Sequence, residues 1–589
     1  MPDTNDLSAP TQSGDTNGRH ERAAGSNDNT VSVAELLERE KSRAETLTPP
    51  GAHEADANPA PRAPDSASAS RPETGGQQAG ADQRRGPEPH KWWTLVAVSL
   101  GTFMLLLDVT IVNVALPDIQ TALHSSFSDL QWVVDAYALT LAALLLTTGS
   151  LADLFGRRRL FVVGLVVFTL ASLLCGVATN TLFLQLSRAL QGIGGAIMFS
   201  VSLALLADAF RGKDRGTAFG IWGAITGLAV AIGPLLGGAL TSGLSWRWIF
   251  FVNLPIGVLA VVITIARVAE SKAPHARRPD WLGFVVFTVA LASLIYGLIE
   301  SSERSFHDAR VIGCLVAAGV LLAAFLLIEG RGKSPMFDLS LFRKPTFTGG
   351  AIAAFGLSAS IFALLLYLTL YVQDVLGFSP FGTGLRLLVL SGGIFVVAAI
   401  AGRLTSRVPI RFLVGPGLLI VGVGLLLMRG LDASSLWTHL IPGLIVSGVG
   451  VGLVNPPLAS TAIGVVKPQN AGMASGINST FRQVGIATGI ALLGTLFTTK
   501  VTDEITRLVH GVPQLSSHAA QLTKAVTGGA VRQAVQSSPA ATRPKIEHIT
   551  TSAFTTGLNF ILLVAAILVL ASGVVALATI RQKDFAQQD

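Results

Sequence analysis

The sequence predicts an all-α polytopic membrane protein, and its composition and the length of its apolar runs both support this fold class. Half of the 589 residues are hydrophobic and only 13% are charged, whereas about 25% of the residues in soluble domains are charged. The mean hydropathy is +0.56. Apolar runs of about 20 residues recur along the chain, and each is long enough to cross the ~30 Å hydrocarbon layer of a bilayer as a helix.

The first 90 residues have a different composition from the rest. They are rich in Pro, Gly, Ala, Ser and Asp and carry 9 Lys or Arg against 15 Asp or Glu. Such a segment buries too little apolar surface to fold, so we expect a disordered cytoplasmic tail over residues 1–90, with a docking arm for a partner as the alternative. The remaining residues carry 34 basic against 21 acidic side chains. This basic excess belongs to the membrane part, so it bears on topology and does not indicate a nucleic-acid partner.

Fourteen membrane spans are expected after Trp92. They cover residues 93–116, 131–152, 159–178, 182–207, 217–241, 248–268, 281–299, 309–329, 347–372, 383–404, 411–429, 439–465, 474–498 and 553–579. With the N-terminus in the cytoplasm, the internal loops hold 18 Lys or Arg and the short external loops hold five. The positive-inside rule therefore predicts that both termini are cytoplasmic and that the loop over about 500–550 is external.

A weak internal repeat suggests how these spans are grouped. The run GSLADLFGRRR over Gly149–Arg159 recurs as GRLTSRVPIR over Gly402–Arg411, at an offset of 253 residues. Two six-helix bundles, over 91–270 and 336–580, then flank two inserted helices over 271–335, and residues 581–589 form a cytoplasmic tail. Parallel halves of this kind are typical of alternating-access transporters, in which the substrate site lies between the halves.

Four charged residues lie well inside predicted spans: Asp108, Asp135, Arg188 and Arg482. A charge at such depth costs several kcal/mol, so each needs a partner, a wet cavity or a function. Asp108, Asp135 and Arg188 all fall in the outer half of the first bundle, at depths of about 15, 9 and 11 Å. Low dielectric favours the protonated carboxyl and a nearby guanidinium favours the charged one, a competition that suits a proton-coupled exchanger.

Other classes of protein find little support in the sequence. Cys175 and Cys314 lie in separate apolar runs, which argues against a disulfide framework or a zinc cluster, and no metal site is expected. No P-loop occurs, so ATP does not drive transport directly. A membrane enzyme would need clustered His, Asp or Glu, but His124, His307 and His439 are scattered over external ends. A receptor or scaffold would normally bring a folded cytoplasmic domain.

Several motifs resemble those of the fourteen-span drug:proton antiporters of the major facilitator superfamily (the EmrB/QacA type). They are LLLDVTIVNVALP (Leu105–Pro117), GSLADLFGRRR, RALQGIGGA (Arg188–Ala196), GAITGLAVAIGPLLGG (Gly223–Gly238), WRWIFFVNLPIG (Trp246–Gly257) and NSTFRQVG (Asn478–Gly485). The resemblance covers about residues 91–500. It implies the major facilitator fold, with fourteen helices as two six-helix bundles plus two inserted helices.

The resemblance also implies roles for individual residues. Asp108 and Arg188 are the candidates for proton coupling, with a structural ion pair as the alternative. Asp135 is a candidate for recognising a cationic drug, or else marks a solvated helix start. The remaining substrate-binding candidates are polar residues on otherwise apolar helices: Gln191, Asn455, Asn478 and Arg482.

Two further motifs are expected to control conformation. The turn residues Gly149, Asp153, Gly156, Arg157 and Arg158 form a candidate gate, in which Asp153 caps a neighbouring helix and the arginines pair with carboxylates. This turn departs from the family at Leu154, where a basic residue is usual, and the second copy has Ser406 in place of Asp153. The antiporter signature is matched by six residues of the fifth span, with ordinary small-residue packing as the alternative: Gly223, Gly227, Gly233, Pro234, Gly237 and Gly238.

Taken with the resemblance, these features predict a secondary exporter in the bacterial inner membrane. It would exchange amphipathic, often cationic drugs or toxic small molecules for protons, as a monomer in the lipid bilayer and without a cofactor. A dedicated exporter of a self-made metabolite, siderophore or lipid would leave much the same sequence. Nothing in the sequence specifies a periplasmic adaptor protein.

Overall fold

The computed structural model describes residues 91–125, 127–272, 280–304, 306–331, 337–467, 470–510 and 518–585. All regular secondary structure in these ranges is helical, which confirms the predicted all-α membrane fold. The predicted tail over 1–90 and the last four residues of the predicted tail over 581–589 lie outside the described residues. The helices, in chain order, are α1 (Lys91–Leu123), α2 (Phe127–Phe155), α3 (Arg157–Gly176), α4 (Thr181–Ala209), α5 (Gly212–Gly243), α6 (Trp248–Phe251), α7 (Asn253–Arg267), α8 (Trp281–Arg304), α9 (Ala309–Arg331), α10 (Pro345–Leu357), α11 (Ala363–Leu370), α12 (Pro380–Leu404), α13 (Arg411–Leu427), α14 (Ile441–Gly464), α15 (Ala471–Val509), α16 (Ala519–Thr527), α17 (Val531–Ser537) and α18 (Arg543–Thr579).

Every predicted span coincides with helical structure, but the number of membrane crossings stays a prediction. Among the described residues, twelve helices are long and apolar enough to cross a membrane, and the two parts of the bent helix α5 make a thirteenth when joined. The remaining candidate, Arg411–Leu427, is apolar but has only 17 residues.

The helices pack as two groups. In the first helix group, α1–α7, helix α4 packs on α2 and α3, and α1 packs on α5 and α7. In the second helix group, α10–α15 with α18, helix α14 packs on α12 and α13, and α18 packs on α13 and α15. Helices α8 and α9 pack on each other, and α8 also contacts α2 and α15. The six-two-six partition remains a prediction.

The two helix groups meet along a few helices. Helix α5 packs along α12 and also touches α14, while α15 packs on α2 and α4. These contacts form the interface between the two helix groups.

Several expected spans are interrupted. Helix α5 bends by 42° between its parts Asp214–Val230 and Leu235–Gly243, where Pro234 lacks the amide hydrogen of the helical ladder. Between Trp248 and Arg267 the helix breaks into α6 and α7, and Pro255 lies in the first turn of α7. π-Helical turns over Ser358–Phe362 and Tyr371–Val375 flank α11.

The loop predicted over about 500–550 is shorter than expected. Helix α15 continues to Val509 because Phe497, Val501, Ile505 and Val509 recur every four residues and are all buried. Helices α16 and α17 follow, and their residues Leu522, Val526 and Val531 are buried against the second helix group. This segment therefore packs as part of the fold.

Candidate functional site

Asp108 lies in α1 and is fully buried. Its Oδ2 atom pairs with Nη1 of Arg188 at 2.5 Å. Its Oδ1 atom accepts hydrogen bonds from Nε2 of Gln191 at 2.8 Å and from Nδ2 of Asn253 at 3.1 Å. Both carboxylate oxygens are therefore occupied, and the charge of Asp108 is balanced by one guanidinium and two amides.

The groups around Asp108 are also bonded to one another. Ser172 accepts from Gln191 at 2.7 Å and from Asn253 at 3.3 Å. Arg188 donates through Nη1 to Oε1 of Gln191 at 2.6 Å. We call Asp108, Ser172, Arg188, Gln191 and Asn253 the Asp108 network. All five are at most 1% exposed, so water does not reach the ion pair in this conformation.

Four helices position the Asp108 network. Arg188 and Gln191 are three residues apart on α4 and therefore share one face of that helix. Arg188 also donates through Nε to the carbonyl of Val133 on α2 at 3.1 Å. Its guanidinium carbon lies 4.2 Å from the centre of the Tyr137 ring, where the ring face stabilises the cation. The network thus ties α1, α3, α4 and the start of α7 to one another.

Sequence reasoning missed three of these contacts. Asn253 lies within the motif WRWIFFVNLPIG (Trp246–Gly257). The signal that could have marked it as a functional residue is a single amide side chain in an apolar run. Ser172 and Tyr137 carried no signal, because isolated hydroxyls are common in membrane helices. Gln191, predicted to bind substrate, instead uses its whole amide inside the Asp108 network.

Asp135 lies away from this network. It is half-buried and shares its face of α2 with Trp132 and Leu139, three residues before it and four after it. That face meets α8, where the Trp132 and Tyr296 rings lie 5.8 Å apart. Val133 and Tyr137, which contact Arg188, project from the opposite face. Among the described residues, no group of three or more His, Cys, Asp or Glu side chains is placed to hold a metal ion.

The candidate gate joins the two helix groups at the end of the bundle predicted to face the cytoplasm. Oδ1 of Asp153 accepts the backbone amide of Gly472 at 3.0 Å, and Oδ2 accepts that of Met473 at 2.9 Å. These amides belong to the first turn of α15, where backbone N–H groups have no carbonyl acceptor within the helix. The positive end of the helix dipole also lies there. Asp153 of the first helix group therefore caps a helix of the second.

Glycines bring these two helices into direct backbone contact. A Cβ atom on Gly149 would lie 2.5 Å from the carbonyl oxygen of Gly472, and one on Gly476 would lie 2.9 Å from that of Leu145. Both distances are below the range of real contacts, so any side chain here would push α2 and α15 apart. The close contact between α2 and α15 depends on these glycines.

The other gate residues fix the turn between α2 and α3. Arg157 is buried, donates to Asp153 at 2.7 Å and lies 3.8 Å from Asp208. Gly156 has a φ angle of 108°, which residues other than glycine rarely adopt, and a Cβ there would lie 2.8 Å from the Glu270 carboxylate. Arg158 donates through Nη2 to the carbonyl of Ile265 at 3.0 Å.

Glu270 is a part of the gate that sequence reasoning missed. Its carboxylate accepts the backbone amides of Arg158 at 3.1 Å and Arg159 at 3.2 Å. Glu270 therefore caps the start of α3 from the segment after α7. Asp153 and Glu270 thus each cap one helix start, that of α15 and that of α3. No local pattern links Glu270 to a helix that begins more than a hundred residues earlier.

The repeated turn makes an analogous contact without an acid. Gly402 on α12 packs directly on Gly216 and Gly220 of α5, again between the two helix groups. Ser406, at the position of Asp153, lies in the turn after α12, is exposed and donates to the carbonyl of Arg403 three residues before it. Only the first copy in the described chain therefore combines the glycine contact with a carboxylate cap.

The glycines of α5 face three neighbouring helices. Gly223 approaches Pro456 on α14, Gly227 approaches Ile394 on α12, and Gly238 lies near Phe381 on α12. Gly233 and Gly237 pack instead on Thr110 and Ile111 of α1. The side chain of Pro234 lies outside those described. Helix α5 is thus packed between α1 and the second helix group.

Three predicted substrate residues lie in the second helix group. Nη1 of Arg482 donates to Oδ1 of Asn455 at 3.1 Å, which joins α15 to α14. Asn478 lies one turn before Arg482 on α15 and is buried. These residues form a second polar region, built from other helices than the Asp108 network.

The fold and these two polar regions define a helical, multi-pass membrane protein with a buried ion pair and a helix-capping contact between two helix groups. The family model described as "Major Facilitator Superfamily" matches residues 98–490. The chain therefore belongs to the major facilitator superfamily, as the motifs predicted, and it is a transporter rather than an enzyme.

Two relatives and one solved structure illustrate this membership. The chain is 39% identical to the multidrug resistance protein Stp of Mycobacterium tuberculosis over 404 residues, which cover 68% of this chain and 75% of Stp. It is 32% identical to the tetracenomycin C resistance and export protein of Streptomyces glaucescens over 510 residues, covering 83% and 91% of the two chains. The solved structure of the proton:xylose symporter XylE aligns with a TM-score of 0.57 at 11% identity, covering 84% of this chain and 97% of that one. At that identity the likeness concerns the fold alone.

Proposed function

We propose that this protein is a proton-coupled exporter of amphipathic drugs or toxic small molecules. The observation that carries the proposal is the Asp108–Arg188 pair, a carboxylate and a guanidinium 2.5 Å apart and almost completely buried. An ion pair of this kind is costly to keep inside a membrane protein unless it has a function. Names of relatives such as Stp, a multidrug resistance protein, support drug export.

The Asp108 network suggests how a proton would be coupled to movement. When Asp108 binds a proton, its charge disappears and one oxygen changes from acceptor to donor. The ion pair with Arg188 is then lost. The hydrogen bonds at the protonated oxygen are also weakened: the bond from Arg188 if it is Oδ2, or those from Gln191 and Asn253 if it is Oδ1. Because the network ties α1, α3, α4 and α7 together, a proton at Asp108 alters the packing of the first helix group.

The gate supplies the second part of the proposed cycle. Asp153 holds the start of α15 while the groups are closed at this end, and separation of α2 from α15 breaks two charge-assisted hydrogen bonds. Alternating access then requires that proton or substrate binding offset this cost. Both termini and the gate are placed in the cytoplasm by the positive-inside rule. We further propose that the transporter acts as a monomer in the inner membrane and needs no cofactor, with α8 and α9 as the inserted pair.

The direct test is proton movement in everted vesicles. A pH gradient is established, and compounds carrying a cationic, neutral or anionic group are added one at a time to vesicles containing wild type, Asp108→Asn or the control Asp503→Asn. Asp503 is an exposed acid on α15. We expect some compounds to dissipate the gradient with wild type and with Asp503→Asn but not with Asp108→Asn. Equal dissipation by Asp108→Asn would contradict coupling through Asp108.

A dedicated exporter is the second candidate function. The tetracenomycin C resistance and export protein is a relative that covers most of this chain, and its name describes export of one compound. A dedicated exporter would respond to one chemical scaffold in the vesicle panel, whereas a multidrug exporter would respond to unrelated ones. Asp135 is the proposed anchor for a cationic group, and its replacement by Asn would reduce the response to cations in particular.

A further inference from the structure

Arg482 is a buried guanidinium that the Asp108 network does not use. Arg482 is only 7% exposed, and its Nη1 atom donates a hydrogen bond to Asn455. Within the described part of the chain, Nε and Nη2 have no hydrogen-bond partner. No described carboxylate forms an ion pair with it, whereas Arg188 at similar burial is paired with Asp108.

Unpartnered hydroxyls line the same face of α15. Ser475 and Ser479 precede Arg482 by seven and three residues, which places all three on one side of the helix. The two serines are 0% and 1% exposed. Their Oγ atoms also lack a hydrogen-bond partner among the described residues. Two turns of α15 therefore present a row of buried donors.

This row lies close to where the two helix groups meet. Asn455, the partner of Arg482, is followed by Pro456, whose ring would lie 3.1 Å from a Cβ atom on Gly223 of α5. Helix α15 itself packs on α2 and α4 of the first helix group. In an alternating-access transporter the substrate binds between the halves, so the row has the position expected of a substrate site.

The chemistry of the row selects a class of ligand. A buried cation without a counter-ion is unfavourable, and an anion that binds it would recover the cost. A guanidinium whose Nε and Nη2 atoms have no partner among the described residues matches the two oxygens of a carboxylate, and hydroxyl groups can donate to the same oxygens. Asp108 offers no comparable site for a cation, because its oxygens are already occupied.

We propose that Arg482, with Ser475 and Ser479, binds an anionic group of the transported compound, and specifically a carboxylate. This inference rests on the proposed export function and names a substrate class for it. The ligand would be amphipathic: its carboxylate would bind the guanidinium, and its apolar part would lie against the surrounding helices.

Three probes that share one apolar ring test the proposal: pyrene carrying a butyrate, a butanol or a butylammonium chain. Each is titrated separately into the purified full-length protein in lipid nanodiscs, and binding is followed by pyrene fluorescence. We expect wild type to bind the butyrate about tenfold more tightly than the butanol, as for a hydrogen bond to a charged group. Arg482→Gln should remove this preference and leave the affinity for the other two probes within about twofold.

Control variants make the result specific. Arg507→Gln changes an exposed arginine on the same helix that is paired with Glu504, and it should bind all three probes like wild type. Arg482→Lys keeps the charge without the planar fork and should retain only part of the preference. If Arg482→Gln does not fold, Arg482→Lys and Ser479→Ala carry the test, because both should weaken butyrate binding selectively.

Equal binding of the three probes by wild type, or an equal loss of all three in Arg482→Gln, would overturn the proposal. The measurement uses no proton gradient, so it separates the two proposals. A butyrate preference without proton-coupled transport in vesicles would contradict the export function. Proton-coupled export without that preference would contradict the carboxylate site alone.

Discussion

The carboxylate of Asp153 and the backbone amide of Gly472 are joined by a 3.0 Å hydrogen bond across 319 residues of chain. This bond links the turn after α2 to the first turn of α15, and so links the two helix groups. A second bond, to Met473, uses the other oxygen of the same carboxylate. Opening this end of the transporter must break both.

Replacement of Asp153 by Asn should slow transport of every substrate alike. Asn keeps one acceptor but loses the charge, and the interaction of a carboxylate with a helix N-terminus is worth about 0.3–2 kcal/mol. We therefore expect the rates of opening and closing to change while the substrate preference stays the same. Efflux of two chemically unrelated dyes measures this. Ser406→Ala, at the equivalent exposed position of the second turn, is the control, and a changed order of substrate preference in Asp153→Asn would contradict a gating role.

Asp108 and Arg188 should behave as a coupled pair in stability measurements. Removing one partner of a buried ion pair leaves the other charge uncompensated, which costs about 3–5 kcal/mol. Asp108→Asn and Arg188→Gln should each lower the unfolding temperature of the purified protein, and the double variant should lose less than the sum of the two. Additive losses would show that the pair does not interact. We expect all three variants to lack proton-coupled efflux, because each removes the carboxylate, the guanidinium or both from the proposed coupling pair.

The sequence allowed the helical fold and the buried charges Asp108, Arg188 and Arg482 to be predicted, because each leaves a local signal. Apolar runs of membrane length mark the helices, and a charge inside such a run is conspicuous. The contacts that complete the sites leave no such signal. Asn253 reaches Asp108 from 145 residues away, and Glu270 caps a helix start 112 residues before it. That Arg482 has two unpartnered donors among the described residues depends on where α14 and α15 lie, which periodicity does not encode.

Gly156→Ala should impair the turn between α2 and α3 more than Gly212→Ala impairs the start of α5. Both glycines have positive φ angles, of 108° and 55°. A Cβ at Gly156 would meet the Glu270 carboxylate, whereas one at Gly212 would meet nothing within 4 Å. At Gly212 the φ angle of 55° falls in the left-handed helical range, where a side chain costs about 1–2 kcal/mol. Gly156, at φ 108° and ψ 130°, lies outside that range in backbone space that is almost restricted to glycine, and Gly156→Ala also disturbs the cap on α3. Unfolding temperature and efflux rate together measure the difference, and equal losses in both variants would contradict this ranking.

Gly149→Ala should prevent the first and second helix groups from closing at the gate. The added Cβ would lie 2.5 Å from the carbonyl oxygen of Gly472. Backbone atoms of two helices cannot yield locally, so α2 and α15 must separate and the bonds from Asp153 must lengthen. We expect faster hydrogen exchange at the amides of Gly472 and Met473, together with efflux slowed by about tenfold or more, as a 1.4 kcal/mol bias against the closed state would give.

Gly313→Ala on α9 is the matched control, because a Cβ there meets nothing within 4 Å and the same residue type is changed in a membrane helix. If Gly149→Ala exchanged and transported like Gly313→Ala, the close approach of α2 and α15 would not belong to the transport cycle. Faster hydrogen exchange without slower efflux would show that the contact between α2 and α15 serves packing only. The gate would then be assigned to the α5–α12 contact at Gly402.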